Sequence, residues 1–193
     1  YQRSDRNGSL IWEEKAPVSV ARMVSGAEIL GGKIYLVGGR DVSATSLSER
    51  YDPATNRWET LPPMSVARSS HTTAVLEGKL YAIGGYGLSS VEIFDQETEQ
   101  WSAGPSLPSI SYSGAAIACY GKIFYVGGRN SNNQYVSQVL ELHPSTNQWA
   151  NKAPMIKARD GLKLVFHEGK IWAIAGNDGH SSNRVEVYDV LTN

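Results

Sequence analysis

The sequence predicts an all-β fold built from four copies of one repeat. A short apolar run that ends in a glycine pair, or in Ala-Gly in the last copy, occurs as KIYLVGGR, KLYAIGGY, KIFYVGGR and KIWAIAGN. In every copy a tryptophan stands 26 positions before the first residue of the glycine pair or of Ala-Gly. Trp12 stands before Gly38 in this way, and the other tryptophans are Trp58, Trp101 and Trp149. Short strands at regular spacing, without an amphipathic helical period, favour an all-β protein.

Each repeat divides into four short strands. In the second copy they are predicted at residues 70–76, 79–84, 89–95 and 100–103, and turn residues separate them: Glu77-Gly78, the glycine pair, and DQET at 95–98. Only the segment that follows the glycine pair differs in length between copies. It is therefore predicted to be a surface loop, where changes in length cost little.

These landmarks resemble kelch repeats: a glycine pair, then an aromatic residue, then a tryptophan seven positions on, with a period near 50. The motifs are LVGGR…YDPATNRW, AIGGYG…IFDQETEQW, YVGGRN…LELHPSTNQW and AIAGNDGH…VYDVLTN. The resemblance covers residues 10–193 and implies a kelch-type β-propeller of four four-stranded blades, with strands a to d running outward from a central axis. Ala175 replaces the first glycine of the last copy, and Leu142 replaces the aromatic residue of the third.

The resemblance gives the glycines and the large aromatic residues structural roles. Strand b is expected to end in a crowded place between blades, where a Cβ would clash and a positive φ is needed. The tryptophans and tyrosines are expected to fill the space between twisted sheets.

Residues 1–9 are predicted to be a polar arm or linker, and residues 10–193 the propeller. Leu10-Ile11-Trp12 is expected to form a strand d that completes the last blade. Three arrangements remain open: the ring closes alone, it pairs with a second copy as an eight-bladed homodimer, or it forms part of a longer array.

Composition narrows the classes of function. Eighteen Lys and Arg against nineteen Asp and Glu give a net charge of −1, so nothing in the charge balance favours nucleic acid or a membrane surface. The single cysteine, Cys119, suits a reducing compartment, and a cytoplasmic location is predicted. The four histidines do not pair at metal-ligand spacing, so no metal or cofactor is predicted.

Kelch propellers, by this resemblance, bind partners on the face formed by the d–a and b–c loops. The predicted partner-binding residues are Arg22, Arg40, Arg68, Ser69, Ser70, His71, Tyr86, Tyr112, Arg129, Arg159 and Asn177. Arginine recognises carboxylates through paired hydrogen bonds, so an acidic peptide is the expected partner. For Arg22, Arg68 and Arg159, which recur on the framework, the alternative is that they tie blades together.

The predicted function is therefore a non-enzymatic protein–protein interaction module. It resembles the substrate-recruiting half of BTB–Kelch adaptors for cullin-RING ubiquitin ligases, and actin is another partner that the family implies. The alternative is a sugar-binding or sugar-epimerising propeller, for which Glu28 near the axis is the candidate acid or base. A structural role is the other explanation of Glu28, in which its carboxylate pairs with Arg22 or Arg68.

Overall fold

The computed structural model describes residues 12–192, and every regular element within them is a β-strand. The strands of blade 1 are β1 (Gly26–Leu30), β2 (Lys33–Val37), β3 (Ser48–Asp52) and β4 (Arg57–Leu61). Those of blade 2 are β5 (Thr72–Leu76), β6 (Lys79–Ile83), β7 (Val91–Asp95) and β8 (Gln100–Gly104). Those of blade 3 are β9 (Ala115–Cys119), β10 (Lys122–Val126), β11 (Val139–His143) and β12 (Gln148–Lys152), and those of blade 4 are β13 (Lys163–His167), β14 (Lys170–Ile174) and β15 (Val185–Asp189).

Each blade is an antiparallel meander in which strands follow one another in chain order. The register places Gly26 opposite Val37, and Tyr51 opposite Trp58. In three of the four blades the turn after strand c is stabilised by an aspartate that accepts backbone hydrogen bonds: Asp52 from Ala54, Asp95 from Glu97, and Asp189 from Leu191. The predicted all-β fold of four propeller blades is confirmed.

Hydrophobic cores lie between adjacent blades rather than within them. Tyr35 and Val37 of blade 1 pack against Leu80 and Phe94 of blade 2, and all four side chains are buried. Trp101 packs on the same cluster and donates its indole N–H to the carbonyl of Pro62 in the preceding loop, at 3.0 Å. The aromatic residues therefore fill the space between sheets, as predicted.

The glycine pairs lie where neighbouring blades meet most closely. Gly38 has a φ of 59°, and a Cβ at this position would lie 2.7 Å from the carbonyl oxygen of Arg68 in the next loop. The equivalent Cβ at Gly127 would lie 2.6 Å from the carbonyl oxygen of Arg159. Both predicted reasons for glycine, a positive φ and lack of space, therefore hold.

The last blade has three of its four predicted strands within the described residues. Leu10 and Ile11 of the predicted completing strand lie outside the described residues, as does the predicted polar arm, and Trp12 is fully exposed and in no strand. Strand a of each blade contacts strand a of the next, from β1 through β5 and β9 to β13.

Candidate functional site

Backbone pairing brings the b–c loops and the d–a loops together on one face, which we call the rim. The residue after each glycine pair bonds to a d–a loop: Arg40 pairs with Met23, Arg129 with Tyr112, and Asn177 with Asp160. In blade 2, the amide of Tyr86 donates to the carbonyl of Ser69 at 2.9 Å. The four positions that follow the glycine pairs therefore lie on the same face, as predicted.

Three of the five predicted arginines are buried in ion pairs with glutamates of strand c. The Nη1 of Arg22 lies 2.6 Å from Glu49, and each side chain is 1% exposed. The other two pairs are Arg68 with Glu92 at 2.8 Å and Arg159 with Glu186 at 3.2 Å. The guanidinium groups of Arg22, Arg68 and Arg159 therefore lie inside the protein and tie the d–a loops to strand c, as in the structural alternative for these three residues.

The third repeat shows that arginine and glutamate are present or absent together. There Ser111 stands at the arginine position and Leu140 at the glutamate position. The amide nitrogen of Gln138 donates to the hydroxyl of Ser111 at 2.7 Å in place of the ion pair. Comparison of the four repeats in the sequence alone could have identified these pairs, since the two positions change in the same repeat.

Hydrogen bonds outweigh burial in lowering the pKa values of Glu49 and Glu92, so these two carboxyl groups remain ionised. Burial by itself would raise the pKa of Glu92, but hydrogen bonds from Ser65, Arg68 and Val66 together lower it. The pKa of Glu49 is lowered in the same way by Ser19 and Arg22. The d–a loops that carry Arg22 and Arg68 are thus joined to strand c by pairs of full charges.

Arg129 is the centre of a polar cluster on the rim. Its Nε donates to Asp160 at 2.6 Å, its Nη1 to the side-chain oxygen of Asn133 at 2.9 Å, and its Nη2 to the hydroxyl of Tyr135 at 2.7 Å. The guanidinium also lies 4.1 Å from the centre of the Tyr135 ring. The bond with Asp160 raises the pKa of Arg129. Most of its donors are therefore already engaged within the protein.

Tyrosines extend this cluster across blades 2, 3 and 4. The hydroxyl of Tyr112 donates to Asn133 at 2.6 Å, and that of Tyr135 donates to Asn177 at 3.2 Å. Tyr86 packs edge-on against Tyr112, with 5.2 Å between ring centres, and is 71% exposed. We call these seven residues the rim network: Tyr86, Tyr112, Arg129, Asn133, Tyr135, Asp160 and Asn177.

Asn133 and Tyr135 were missing from the predicted site. They lie in the b–c loop of the third repeat, where Leu142 stands 15 positions after Gly127, the longest such interval in the chain. Loop length was therefore the available signal, but it does not indicate which loop side chains turn toward the neighbouring blade.

Arg40 differs from the other predicted arginines because it is exposed and unengaged. Within residues 12–192 its side chain makes no hydrogen bond or ion pair. Its neighbours on the rim are the exposed Asp41, which follows it in the chain, and two apolar residues. Met23, which pairs with it through the backbone, is 59% exposed, and Val42 is 94% exposed. A guanidinium with its N–H groups exposed can donate paired hydrogen bonds to a carboxylate of a partner.

The sequence matches the KLHDC2/KLHL20/DRC7 Kelch-repeats domain over residues 24–193. The chain belongs to the kelch-repeat family. Among its relatives, Kelch-like protein 36 of Bos taurus is 34% identical over 192 residues, which cover 93% of this chain and 31% of the relative. Kelch-like protein terF of Aspergillus terreus is 31% identical over 211 residues, which cover 94% of this chain and 45% of the relative.

The kelch chain spans less than half the length of these relatives. Kelch-like protein 40 of Xenopus laevis matches over 107 residues at 28% identity, which covers 55% of this chain and 17% of the relative. A solved structure, described as the structure of YjhT, superposes with a TM-score of 0.83 at 19% sequence identity. That match covers 93% of this chain and 66% of the other, and it shows a shared fold.

The remaining predicted residues of the kelch rim, Ser69, Ser70 and His71, lie mostly beneath its surface. Ser69 and His71 are each 8% exposed, and Ser70 is half-buried, so none of them offers an open contact surface. Burial, aided by the charge of Arg68, lowers the pKa of His71 to about 3, so its imidazole is neutral at physiological pH. Contact of Ser69 and His71 with a partner stays a prediction, and little of either residue's surface is accessible.

Glu28 lies in a cavity at the axis of the propeller. The cavity has a volume of about 280 Å³ and is lined by the first strands of all four blades, including His71 and Lys163. Burial raises the pKa of Glu28, although the hydroxyl of Thr73 donates to its carboxylate at 3.3 Å. The structural explanation of Glu28, an ion pair with Arg22 or Arg68, is wrong, because these arginines pair with Glu49 and Glu92.

Residues 12–192 contain no cluster of three or more His, Cys, Asp or Glu side chains arranged to hold a metal ion. Over the same residues, no helix has the length and apolarity needed to cross a membrane.

Proposed function

We propose that this kelch propeller is a protein-interaction module that binds an acidic peptide segment of a partner on the rim. The observation that carries the proposal is the exposed, unengaged guanidinium of Arg40 on the face that also presents Tyr86. A peptide carboxylate takes two parallel hydrogen bonds from Arg40, and the tyrosine supplies contact area with little conformational freedom to lose.

The rest of the rim supports binding by holding its shape. The buried ion pairs fix the d–a loops, and the rim network fixes the long b–c loop of blade 3 before any partner arrives. A surface that is ordered in advance loses less conformational entropy on binding. Arg129 contributes to a lesser degree, because Asp160 already occupies its Nε and competes with an incoming carboxylate.

The finer proposal is that the acidic partner is a substrate brought to a cullin-RING ubiquitin ligase in the cytoplasm. It is supported by the resemblance to BTB–Kelch adaptors and by the names of relatives, which include an F-box/kelch-repeat protein of Arabidopsis thaliana. In such an assembly the rim recruits the substrate and regions outside the propeller contact the ligase. Actin is the other partner that the resemblance implies.

Fluorescence anisotropy with a pair of labelled peptides tests the acidic preference. One peptide carries several Asp and Glu residues spaced by Gly and Ser, and the other carries Asn and Gln at the same positions. We expect the acidic peptide to bind and its amide counterpart to bind much more weakly. The Arg40→Glu variant should lose about tenfold or more in affinity, which corresponds to about 1.4 kcal/mol.

Arg57→Glu is the matched control, since Arg57 is exposed on β4, away from the rim, and the charge change is the same. Affinity for the acidic peptide should be unchanged in this variant. Equal affinity of the two peptides for the wild-type chain, or equal losses in the two variants, would contradict the proposal.

The environment of Glu28 favours one alternative, a sugar-binding or sugar-epimerising propeller. A carboxyl group with a raised pKa in an axial cavity is suited to proton transfer or to hydrogen bonding with hydroxyl groups. Titration calorimetry with an acidic sugar of the sialic acid class and with neutral hexoses tests this function. Binding that is lost in Glu28→Gln but retained in Arg40→Glu would establish the sugar site instead of the peptide site.

A further inference from the structure

Backbone bridges align three residues in a row on the rim of blades 1, 3 and 4. In each row, the residue that follows the glycine pair, or Ala-Gly in blade 4, lies between a residue of the d–a loop and a residue of the b–c loop. The rows are Met23, Arg40 and Ala44 in blade 1, Tyr112, Arg129 and Tyr135 in blade 3, and Asp160, Asn177 and Ser181 in blade 4. Residues opposite each other in an antiparallel pair have neighbouring side chains on one face. Arg40 therefore occupies in blade 1 the place that Arg129 occupies in blade 3.

In blade 3 the arginine of the row is bound by two groups of the protein itself. The guanidinium of Arg129 lies 4.1 Å from the ring centre of Tyr135 in its own row. Its Nε donates at 2.6 Å to Asp160 in the row of the next blade. The hydroxyl of Tyr135 also donates to Asn177 of that next row, at 3.2 Å. The ring of Tyr135 therefore bridges the gap between two rows, and the side chains of Arg129 and Asp160 are only 19% and 14% exposed.

The equivalent gap between blades 1 and 2 lacks both groups. Ala44 stands at the position of Tyr135 and has only a methyl group, and Ser69 stands at the position of Asp160. Ser69 carries no charge and is 8% exposed. Arg40 and Ala44 are both exposed, and the side chain of Arg40 makes no hydrogen bond or ion pair within residues 12–192. The gap beside Arg40 is therefore open where its counterpart in blade 3 is filled.

By the equivalence of the repeats, Tyr86 is the aromatic wall on the other side of this open gap. It follows the glycine pair of blade 2 and so stands at the position of Asn177, the residue of blade 4 that Tyr135 reaches. Its amide donates to the carbonyl of Ser69 at 2.9 Å, and its side chain is 71% exposed. Tyr86 also packs edge-on against Tyr112, with 5.2 Å between ring centres. Blades 1 and 2 both belong to the described residues, so the groups on each side of the gap come from this chain.

Asp41 does not supply the missing carboxylate. It follows Arg40 in the chain and is exposed, and no ion pair within the described residues joins the two side chains. Asn130 holds the equivalent place in blade 3, and its side chain accepts amide hydrogen bonds from its own loop at 3.0 Å. In blade 3 the residue after the arginine is thus bound to its loop, and the carboxylate on the guanidinium comes from another blade.

We propose, on the basis of the peptide-binding function proposed above, that the partner segment carries an aromatic side chain beside its acidic residue. The aromatic ring inserts between Arg40 and Tyr86, above Ala44, and the carboxylate takes hydrogen bonds from Arg40. The partner then supplies to Arg40 the two groups that the protein itself supplies to Arg129. A ring over the guanidinium also excludes water from one of its faces, which strengthens its interaction with the carboxylate.

Three labelled peptides of equal length test this chemistry by fluorescence anisotropy. The first carries Phe two positions from Asp, so that both side chains lie on one face of an extended segment, about 7 Å apart. The second has Leu in place of Phe, and the third has Asn in place of Asp. We expect the Phe peptide to bind about threefold to tenfold more tightly than the Leu peptide, on the scale of a cation–π contact and an aromatic pair.

The same peptides distinguish an incorrect aromatic preference from an incorrect acidic preference. Equal affinity of the Phe and Leu peptides, with the Asn peptide still much weaker, would overturn the aromatic partner and leave the acidic one in place. Equal affinity of the Asp-containing and Asn-containing Phe peptides would overturn both.

Ala44→Tyr gives blade 1 the aromatic residue of blade 3, so its ring should fill the gap. The preference for the Phe peptide over the Leu peptide is expected to fall below about twofold, while affinity for the Leu peptide stays within about twofold of wild type. Ser181→Tyr is the matched control, because it adds the same ring at the equivalent b–c position of blade 4, beside Asn177 and not beside an arginine. This variant should keep the Phe preference.

Ala44 and Ser181 are both exposed, so both variants are expected to fold, which circular dichroism checks. A Phe preference that survives in Ala44→Tyr, or one that is lost equally in the two variants, would overturn the proposal.

Discussion

Arg68 and Glu92 form an ion pair of 2.8 Å in which the two side chains are only 0% and 5% exposed. In the third repeat the same two positions are Ser111 and Leu140. A d–a loop is therefore joined to its blade either by this ion pair or, in the third repeat, by the hydrogen bond between Gln138 and Ser111. In the other repeats, the arginine of this position serves the scaffold and is not available to a partner.

Arg68→Ser is expected to destabilise the fold by about 3–5 kcal/mol, because it leaves the buried carboxylate of Glu92 without its counter-charge. Urea unfolding followed by tryptophan fluorescence measures the loss. Arg57→Ser, at an exposed site, is the control and should change the free energy of unfolding by less than about 0.5 kcal/mol.

The double variant Arg68→Ser/Glu92→Leu reproduces the residues of the third repeat. It should be more stable than Arg68→Ser alone, with a coupling energy of about 1–3 kcal/mol in the double-mutant cycle. Additive losses in the cycle would show that the two side chains do not act as a pair.

Gly84→Ala should be much more destabilising than Gly87→Ala. Both glycines have a positive φ, 64° and 75°, so both variants carry the backbone cost of about 1–2 kcal/mol. A Cβ at Gly84 would also collide with the carbonyl oxygen of Ser111, whereas one at Gly87 has nothing within 4 Å. Thermal unfolding of the two variants compares them directly, and equal losses would mean that close approach between blades is not the constraint.

The buried neutral His71 predicts a loss of stability in mild acid. Because its pKa falls from 6.5 to about 3 on folding, the unfolded chain binds the extra proton between these values. The contribution is fully present above pH 6.5 and is lost as the pH falls, by up to about 1.4 kcal/mol per pH unit. Denaturation from pH 7 to pH 5 should show a shallower decline for His71→Gln than for wild type. His180→Gln, at an exposed histidine, should keep the wild-type slope.

Asp160→Asn should increase the affinity for the acidic peptide. The substitution removes the charge that occupies Nε of Arg129, so that both Arg40 and Arg129 become available to carboxylates. We expect a gain of about threefold to tenfold in anisotropy titrations, which corresponds to about 0.6–1.4 kcal/mol. Glu97→Gln removes one negative charge at a c–d turn and should have little effect. A loss of affinity in Asp160→Asn would indicate that this carboxylate orders the rim for binding.

The repeat spacing predicted the short strands and the variable loop, and the kelch resemblance predicted the blades, the roles of the glycines and the face on which the loops meet. It placed Arg22, Arg40, Arg68, Arg129 and Arg159 on that face but could not separate buried arginines from exposed ones. That difference depends on partners in another strand, such as Glu92, and on loop side chains such as Asn133 and Tyr135. Contacts of this kind arise between distant parts of the chain, and the repeat pattern does not encode the direction of a loop side chain.

Hydrogen–deuterium exchange of the chain with and without the acidic peptide tests the peptide-binding rim most directly. Binding on the rim predicts slower exchange in residues 40–46 and 129–136, which include Arg40 and the long b–c loop, and no change at the opposite turns around residues 77–79 and 95–99. Protection confined to those opposite turns, or to the axial strand around Glu28, would contradict a peptide-binding rim.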